Sequence, residues 1–498
     1  MGCPARACND DFEPSSVRGF GVGDHAVWGA MGRDDSDLVR DIEVFADGDS
    51  WHHRWQIGVA AHNDAYFDRS FCHGFTRWVK SENSCSKRNP LSVYSEQVVS
   101  FFTMSVDRRG GFAERLVVIN ARLPFRSGLY RIAVAGGTVE SVEPMDKSLA
   151  GNRTIDIEGD WLSLGAVDLQ INGALGLAFP DLRLDGLDKL QAICDFLWAQ
   201  GVDGFCPTLV TTSLENFQGS LEAIAAFKSK QKTTDRTAKV LGAHLEGPFL
   251  NKEKRGAHPA EFLQPLTLDT VKSVVGEFAE FVSIVTLAPE IAEDSAAIDW
   301  LVSQGVTVSL GHSLCSAEQA KQAFDSGASM VTHAFNAMPR LHHREPGLLG
   351  KAMTDNRVSC GFIADGQHIS STMLDFLLRA NRGGLDRAKG LFLVSDALSP
   401  LGLPDGVYPW DAREIAVADG TARLADGTLS GTTLPLIAGA QNLVEWGLCS
   451  VEEAIALVTQ APREAVGVPA LTVGAPANLL RWRMDEGRSL VWNRMSLE

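Results

Sequence analysis

The string VTVSLGHSLCSAEQAKQAFDSGASMVTHAFN, residues 306–336, contains the pattern that decides the fold. An apolar alternating run ends in His312, a helical pattern follows over Ala317–Ser326, and a second apolar run ends in His333. A strand, an amphipathic helix and another strand in this order predict a βαβ unit with two parallel strands. Both strands end in a residue type that often binds metals. The segment therefore predicts a parallel sheet with chemistry at the carboxyl ends of its strands.

The same unit repeats on both sides of this segment. The eight predicted strands are Gly165–Gln170, Gly204–Leu209, Lys239–Leu245, Phe281–Leu287, Thr307–His312, Met330–His333, Val358–Ile363 and Leu391–Asp396. Helical patterns follow most of them, for example Leu187–Gln200, Leu214–Lys228, Ser371–Ala380 and Leu434–Trp446. Eight such units over about 300 residues are typical of a (β/α)8 TIM-type barrel, whose active site lies at the carboxyl ends of the strands. A doubly wound open sheet is the alternative, and it would leave the strand-end residues dispersed along one edge.

Polar residues stand where a barrel places its active site. They are His244 and Glu246 on the third strand, His312 on the fifth, His333 on the sixth and Asp396 on the eighth. Glu246, His312 and His333 predict a three-ligand site for a catalytic divalent metal with an open position for water. Such an ion polarises a carbonyl oxygen and makes water more acidic. Asp396 is suited to take the water's proton and pass it to a leaving group.

Composition excludes several classes of partner. The chain has 498 residues, of which 45% are hydrophobic and 21% charged, as in an ordinary globular protein. Its formal net charge of −17 argues against nucleic acid or an anionic membrane as a partner. Neither a long uncharged apolar run nor a secretory signal is found in the sequence, so we expect a cytoplasmic protein. The nine cysteines include no Cys-x-x-Cys pattern, and reduced thiols are expected.

Alternating strand patterns at both ends of the chain predict a second, smaller domain. Patterns over 115–160 and 477–492 predict a composite β domain built from N- and C-terminal segments, and the patterns at Glu414–Val417 and Thr421–Leu424 are expected to join it. Residues 1–103 lack sustained periodicity and are expected to be a disordered or non-native extension. The predicted divisions are 1–103 for this extension, 104–162 for the first part of the β domain, 163–402 for the barrel, 403–431 for a β-domain insertion, 432–468 for the last barrel helices and 469–498 for the final part of the β domain.

Five strings add a family resemblance to this pattern. They are HLEGPFLNKEKRGAH (244–258), THAFNAMPRLHHREPG (332–347), IADGQH (363–368), LVSDA (393–397) and DGTLSG (426–431). In this order they resemble the N-acetylglucosamine-6-phosphate deacetylases of the amidohydrolase superfamily, over roughly residues 115–496. The resemblance implies metal-dependent hydrolysis of the acetamide of N-acetyl-D-glucosamine 6-phosphate to glucosamine 6-phosphate and acetate, in amino-sugar metabolism.

The resemblance also implies a role for each matched residue. It implies metal ligation by Glu246, His312 and His333, with Asp396 as catalytic base and acid. His258 is placed to hydrogen-bond the acetamide carbonyl and its developing oxyanion. The implied substrate-binding residues are Ala257, His258, Asn336, Ala337, Arg344, Asp365, Gly366, Gln367, His368, Leu429, Ser430 and Gly431.

The resemblance also implies which residues bind the substrate's phosphate group. Arg344 offers a bidentate fork for a phosphate, and His368 can add a donor. In the family this arginine can come from the neighbouring subunit, which implies a homodimer with a shared phosphate site.

The residues at the end of the first predicted strand indicate how many metal ions the site binds. Most of the superfamily carries His-x-His there, whereas this chain has Gln170 and Asn172. Neutral amides are poor ligands for a transition metal, so we expect one divalent ion per subunit and a vacant second-metal position at Gln170 and Asn172. Zinc is the expected metal; iron, cobalt and manganese are alternatives because these ligand types do not separate them.

Three other functions are weighed against this one. N-acetylgalactosamine-6-phosphate deacetylation differs only in the stereochemistry of one hydroxyl. Another amidohydrolase, such as a cyclic-amide hydrolase, is disfavoured because that group generally uses the His-x-His pair that Gln170 and Asn172 replace. A non-catalytic barrel scaffold is disfavoured because all three predicted ligands and Asp396 are present.

Overall fold

The computed structural model describes residues 115–145, 153–382 and 390–497, so the predicted extension 1–103 lies outside the described residues. The described chain begins with a small β layer. Its strands are β1 (Leu116–Ala121), β2 (Tyr130–Ala135), β3 (Thr138–Pro144), β4 (Arg153–Asp156) and β5 (Trp161–Leu164). The first four form one sheet in the order β3-β2-β1-β4, in which β1 and β4 run parallel.

The barrel follows directly. Its region contains β6 (Ala166–Ile171), β7 (Gly173–Ala174), β8 (Leu177–Ala178), β9 (Val202–Val210), β10 (Lys239–Val240), β11 (Ala243–Glu246), β12 (Val282–Leu287), β13 (Thr307–Leu310), β14 (Met330–Val331), β15 (Ser359–Phe362) and β16 (Leu391–Leu393). Strand β6 pairs with β9, and parallel pairing continues through β11 to β16. Between β16 and β6, the Asp396 N–H donates to the Gln170 carbonyl at 2.9 Å and the Asn172 N–H to the Ala397 carbonyl at 2.7 Å. The prediction of a (β/α)8 barrel is confirmed.

Helices cover the outside of the barrel. Those described are Leu187–Ala199, Leu214–Lys228, Leu268–Val275, Ala296–Ser303, Ala317–Asp325, Gly347–Ala352, Ser371–Arg382, Leu436–Glu445, Val451–Val458 and Gln460–Ala465. Their starts follow local chemistry: Ser316 and Gln319 form a reciprocal capping box at the helix that begins with Ala317. In the part of the chain that the structure describes, none of the helices combines the length and apolar character needed to cross a bilayer.

Two strands at the end of the chain complete the β layer. They are β21 (Leu479–Met484) and β22 (Leu490–Arg494), and β21 pairs with β5. Leu479 and Ala477 share a buried cluster with Val118 and Ile132 of the N-terminal sheet. The predicted composite β domain of N- and C-terminal segments is therefore confirmed.

The strands between these two parts differ from the prediction. They are β17 (Gly406–Trp410), β18 (Arg413–Ala418), β19 (Thr421–Leu424) and β20 (Leu429–Thr432), and they form a sheet of their own. Ile415 and Val417 bury their side chains with Leu398 and Ala257 of the barrel loops. Alternation correctly indicated strands here, but it carries no information about which apolar surface the strands cover.

The barrel interior combines an apolar core with one polar layer. The His244 ring donates from Nδ1 to the Leu169 carbonyl at 3.0 Å, and its Nε2 lies 2.7 Å from the Thr286 hydroxyl. That hydroxyl lies 2.7 Å from Thr332 Oγ1, which lies 2.6 Å from Ser309 Oγ. The sequence placed His244 with the residues at the strand ends. In the structure its side chain is instead hydrogen-bonded inside the barrel, below those ends.

Four cysteines of the described residues are buried free thiols, as the sequence predicted. They are Cys194, Cys206, Cys315 and Cys360.

Candidate active site

Four buried polar residues meet at the carboxyl end of the barrel. Glu246 is the last residue of β11, whereas His312, His333 and Asp396 stand two or three residues beyond the ends of β13, β14 and β16. Each is at most 8% exposed. The latter three have positive φ angles of 49°, 29° and 48°. Such backbone costs roughly 1–3 kcal/mol per residue and is typical of active sites, where the surroundings hold it in place.

One carboxylate oxygen and two imidazole nitrogens form a tight triangle. Glu246 Oε1 lies 3.1 Å from His312 Nε2 and 3.0 Å from His333 Nε2, and the two nitrogens are 3.0 Å apart. Ligands bound to a tetrahedral zinc ion would lie roughly 3.3 Å from one another. Two imidazole nitrogens at this distance cannot both keep a lone pair facing the other unless a cation or a proton lies between them. The three residues therefore fit a divalent metal ion.

The tautomer of His312 suits metal binding. Its Nδ1–H donates to the Lys254 carbonyl at 2.8 Å, which leaves the Nε2 lone pair directed at the triangle. His333 lacks such a partner: its buried Nδ1 makes no hydrogen bond with the described residues.

Charges within the triangle reinforce one another. Burial would raise the pKa of Glu246, but a proton on Nε2 of His312 or His333, the atoms that would otherwise face a metal ion, donates to this carboxylate and holds its pKa well below the usual value. Burial would lower the pKa of His333, but the hydrogen bond from His333 to Glu246 and the charge of that carboxylate raise it. The surroundings of His333 therefore favour a positive charge in the triangle, which a proton or a bound cation would supply.

His258 offers a second possible ligand set with Glu246 and His312, whose ligand atoms lie within 4.8 Å of one another. This set is looser, because His258 Nε2 is 4.0 Å from Glu246 Oε2. The His258 Nδ1 accepts a hydrogen bond from the Thr211 N–H at 3.2 Å, so the ring proton is on Nε2. Burial and the nearby His312 lower the pKa of His258 to about 3, and the ring is neutral. His258 is thus arranged as a neutral hydrogen-bond donor, and His333 makes the better third ligand.

The Asp396 carboxylate lies beside the triangle. Its Oδ1 accepts from Asn172 Nδ2 at 2.8 Å and from Gln170 Nε2 at 3.2 Å, and the same Gln170 nitrogen donates to Glu246 Oε1 at 3.0 Å. The two amide nitrogens therefore orient the two carboxylates, and the single-ion site stays a prediction. Burial and the charge of Glu246 raise the pKa of Asp396 to about 6. A carboxyl group that titrates near neutrality suits acid–base catalysis.

A cavity of about 280 Å³ contains this site. The predicted residues that line it are Asn172, Glu246, Ala257, His258, His312, His333, Asn336, Ala337, His368, Asp396, Leu429 and Ser430. The predicted residues that do not line it are Gln170, Arg344, Asp365, Gly366, Gln367 and Gly431.

Two of the predicted residues that do not line the cavity hold residues of its wall in position. The Asp365 carboxylate accepts from His368 Nδ1 at 2.7 Å, which fixes the ring that lines the cavity. Gly431 has φ +149°, and a Cβ at this position would lie 2.7 Å from the Asp396 backbone oxygen. Only glycine therefore lets β20 approach the Asp396 turn so closely. Arg344 is different, because it is exposed on a loop.

Sequence reasoning missed three prominent residues of the cavity wall. Lys254 lies within a string already singled out, between Glu246 and His258, and its position was a usable signal. Trp410 and Asp411 come from the end of β17 and the turn that follows it. Arg413 holds this turn in place, because its guanidinium donates to the Ala257 carbonyl at 2.8 Å and lies 5.1 Å from the centre of the Trp410 ring.

Comparison with known proteins gives relatives along most of the described chain. No family model matches the chain. It is 35% identical over 376 residues to an N-acetylglucosamine-6-phosphate deacetylase of Bos taurus, and the match covers 72% of this chain and 90% of the relative. It is 31% identical over 339 residues to an N-acetylgalactosamine-6-phosphate deacetylase of Escherichia coli O157:H7, covering 68% of this chain and 85% of that protein.

A solved structure shares the architecture. It is a variant of N-acetyl-D-glucosamine-6-phosphate deacetylase from Mycobacterium smegmatis in complex with N-acetyl-D-glucosamine-6-phosphate. The TM-score is 0.65 at 26% identity, and the alignment covers 76% of this chain and 97% of that chain.

Proposed function

Because the chain belongs to the N-acetylglucosamine-6-phosphate deacetylase family, we propose that it hydrolyses the acetamide of N-acetyl-D-glucosamine 6-phosphate. Water and the amide are consumed, and glucosamine 6-phosphate and acetate are formed. The observation that carries the proposal is the convergence of the Glu246, His312 and His333 triangle with Asp396 and His258 around one cavity.

The chain's own residues divide the chemistry. A divalent cation held by Glu246, His312 and His333 would supply Lewis-acid chemistry, polarising the carbonyl and making water more acidic. Asp396 takes a proton from the attacking water and returns it to the nitrogen of the leaving amine. His258 donates its Nε2–H to the acetamide oxygen, where negative charge develops as water adds. Zinc is the proposed metal, with iron, cobalt or manganese as alternatives.

The substrate's phosphate requires donors beyond the catalytic group. Lys254 and His368 line the cavity. Lys254 can donate to phosphate oxygens, and His368, whose Nδ1–H is held by Asp365, can donate from Nε2 as the imidazolium. Arg344 is exposed and does not line the cavity of its own chain. We therefore assign Arg344 to the phosphate site of a partner subunit in a homodimer.

Mixed dimers test this assignment. Arg344→Ala impairs the partner's site, whereas Asp396→Asn impairs the site of its own subunit. If the arginine acts across the interface, reassorting the two inactive variants restores about a quarter of the wild-type activity, because half of the dimers are mixed and each has one intact site. If each subunit uses its own arginine, the mixture stays inactive.

The first experiment measures acetate release by the purified protein, with its metal content determined on the same sample. We expect turnover of N-acetyl-D-glucosamine 6-phosphate and much weaker turnover of the unphosphorylated sugar. N-acetyl-D-galactosamine 6-phosphate is included because a relative with that name is 31% identical to this chain. A larger kcat/KM for the galactosamine epimer would move the proposal to that substrate, and no acetate from either phosphate by metal-loaded protein would end it.

A further inference from the structure

The fourth of the eight parallel barrel strands, β12, ends without a predicted ligand, but a short turn that follows it, Pro289–Ile291, places Glu290 beside the site. Its carboxylate accepts three hydrogen bonds. Oε1 accepts from Asn251 Nδ2 at 2.8 Å and from the Leu314 N–H at 2.5 Å, and Oε2 accepts from the Ser313 hydroxyl at 2.7 Å. Glu290 does not line the catalytic cavity. Its contacts are therefore with loops and not with a substrate bound there.

Both segments held by Glu290 adjoin His312. Asn251 donates its backbone N–H to the His312 carbonyl at 2.9 Å. Asn251 begins a turn that ends at Lys254, and the Lys254 N–H donates to the Asn251 carbonyl at 2.9 Å. This turn presents the Lys254 carbonyl to His312 Nδ1–H at 2.8 Å. Ser313 and Leu314 follow His312 directly in the chain. Glu290 thus joins the turn that orients the His312 ring to the backbone that carries it.

His312 needs such support more than an ordinary residue does. Its φ of 49° lies in the left-handed region, which a non-glycine residue adopts only when its surroundings hold it there. A carboxylate suits this position, because its two oxygens can accept from three donors at once. A glutamine could keep these contacts, because its amide oxygen can accept from Asn251 and Leu314 while its amide nitrogen donates to the Ser313 hydroxyl. Removal of the carboxylate by alanine is therefore the informative change.

We propose that Glu290 is a positioning residue that fixes the His312 imidazole for metal binding. It acts through Asn251 and the 312–314 backbone, as residues outside the ligand set do when they hold a ligand's ring orientation. The proposal rests on the metal site of the proposed function and is independent of which sugar phosphate is hydrolysed.

The test compares Glu290→Ala with Glu293→Ala, which changes an exposed acid three residues along the chain. Zinc affinity is measured by chelator competition, and the Co²⁺-loaded proteins are compared by visible absorption, both without substrate. We expect zinc affinity about 10- to 100-fold weaker in Glu290→Ala and a changed Co²⁺ spectrum, with Glu293→Ala like the wild type. Saturating metal should recover much of the activity of Glu290→Ala, which a general folding defect would not allow.

Ser313→Ala keeps the proposal testable if Glu290→Ala does not fold. It removes one of the three hydrogen bonds to Glu290, together with the hydroxyl that accepts from the Cys315 N–H at 3.0 Å. We expect a smaller loss of zinc affinity, and a less than additive loss when Ser313→Ala is combined with a folded Glu290→Ala protein. Zinc affinity and a Co²⁺ spectrum in Glu290→Ala indistinguishable from those of Glu293→Ala would overturn the proposal; so would an unchanged Ser313→Ala protein. A wild-type protein that binds no metal would instead contradict the metal site itself.

Discussion

At the scale of single residues, His258 and His312 show how two identical side chains acquire opposite roles. Their ring centres are 4.5 Å apart. The Thr211 N–H donates to Nδ1 of His258, whereas Nδ1 of His312 donates to the Lys254 carbonyl. One ring is left with a donor and the other with a lone pair at Nε2. In the proposed mechanism, the backbone groups around each ring therefore decide which histidine is the metal ligand and which donates to the carbonyl oxygen.

Asp396→Asn tests the acid–base role. The amide can keep an oxygen toward the Gln170 and Asn172 donors, but it cannot accept a proton from water. We expect kcat to fall by about 100- to 10,000-fold while zinc content stays near that of the wild type. Acetate release and metal analysis on the same folded sample measure both. Normal turnover by a folded variant would exclude Asp396 as the base.

The raised pKa of His333 predicts a pH dependence of metal binding. A cation can occupy the triangle only when His333 gives up its proton, since its Nε2 lone pair is then a ligand. Apparent zinc affinity should therefore weaken as pH falls through the pKa of His333, by about tenfold per pH unit for one displaced proton. Calorimetry in buffers of different ionisation enthalpy measures the protons released, and binding that is independent of pH would contradict the prediction.

At the scale of elements, strand β6 contains Asp168, a buried carboxyl group whose pKa, like that of Asp396, is raised. Asp168 Oδ1 accepts from the Ser395 N–H at 3.2 Å and the Gln170 N–H at 3.3 Å, and burial raises the pKa of Asp168 to about 7. Between the unfolded pKa of 3.8 and this value, the folded state binds more protons than the unfolded state. Asp168 therefore lowers stability progressively as pH rises from about 4 to about 7.

Asp168→Asn should remove this dependence, because an amide oxygen can accept the same bonds without ionising. In metal-free protein we expect a stability close to the wild type near pH 4 and a gain that grows toward neutral pH, up to roughly 4 kcal/mol. Urea unfolding across this pH range measures the gain, with Glu293→Gln as an exposed control. A constant difference at all pH values would show that Asp168 does not titrate in this window.

We expect changes in the β17–β18 hairpin to affect substrate binding, because Trp410 and Asp411 of this hairpin line the cavity. Arg413→Gln would remove the hydrogen bond to the Ala257 carbonyl, which joins the hairpin to the loop on the other side of the cavity. It would also remove the contacts with Trp410 and Asp411, which hold the turn within the hairpin. We expect KM to rise about three- to tenfold, because one hydrogen bond contributes roughly 0.5–1.5 kcal/mol, and kcat to change less. Arg423→Gln, on the outward side of the same sheet, is the matched control. Equal steady-state constants for both variants would contradict a role for the hairpin.

At the scale of the whole molecule, a buried ion cluster joins the C-terminal β strand to the barrel. The Asp203 carboxylate accepts from Arg463 at 3.0 Å and from Arg494 of β22 at 2.9 Å. The Arg494 guanidinium also lies 3.6 Å from the centre of the Trp198 ring. The cluster connects the beginning of β9, a late helix and the last strand of the composite domain.

Asp203→Asn should leave two buried guanidinium groups without a carboxylate. We expect a loss of about 3–5 kcal/mol of unfolding free energy, because an uncompensated buried charge is costly. Urea unfolding of metal-free protein measures it. Asp325→Asn, which breaks ion pairs that are about half exposed, should leave the unfolding curve unchanged. Similar curves for both variants would mean that the cluster does not hold the two parts together.

The periodicity of the sequence and the residue types at the strand ends were sufficient to predict the barrel and the cluster of polar residues at its carboxyl end. The alternation of apolar runs and amphipathic helices is local, so the βα units were visible without coordinates, and a parallel barrel brings every strand end to one face. Glu246, His312, His333 and Asp396 could be grouped for that reason alone. The Leu214–Lys228 helix was predicted with the bounds that the structure has.

Contacts between segments distant in sequence were decided only by the tertiary structure. The assignment of β17–β20 to a sheet over the cavity, the placement of His244 below the strand ends, and the roles of Arg413 and Glu290 all depend on partners tens of residues or more away in the chain. Side-chain type limits what each group can donate or accept, but the packed fold determines which partner is within 3 Å and what charge burial permits. The sequence therefore determined the barrel and the residue types that meet at its carboxyl end, and the tertiary structure decided the tautomers, the charges and the walls of the site.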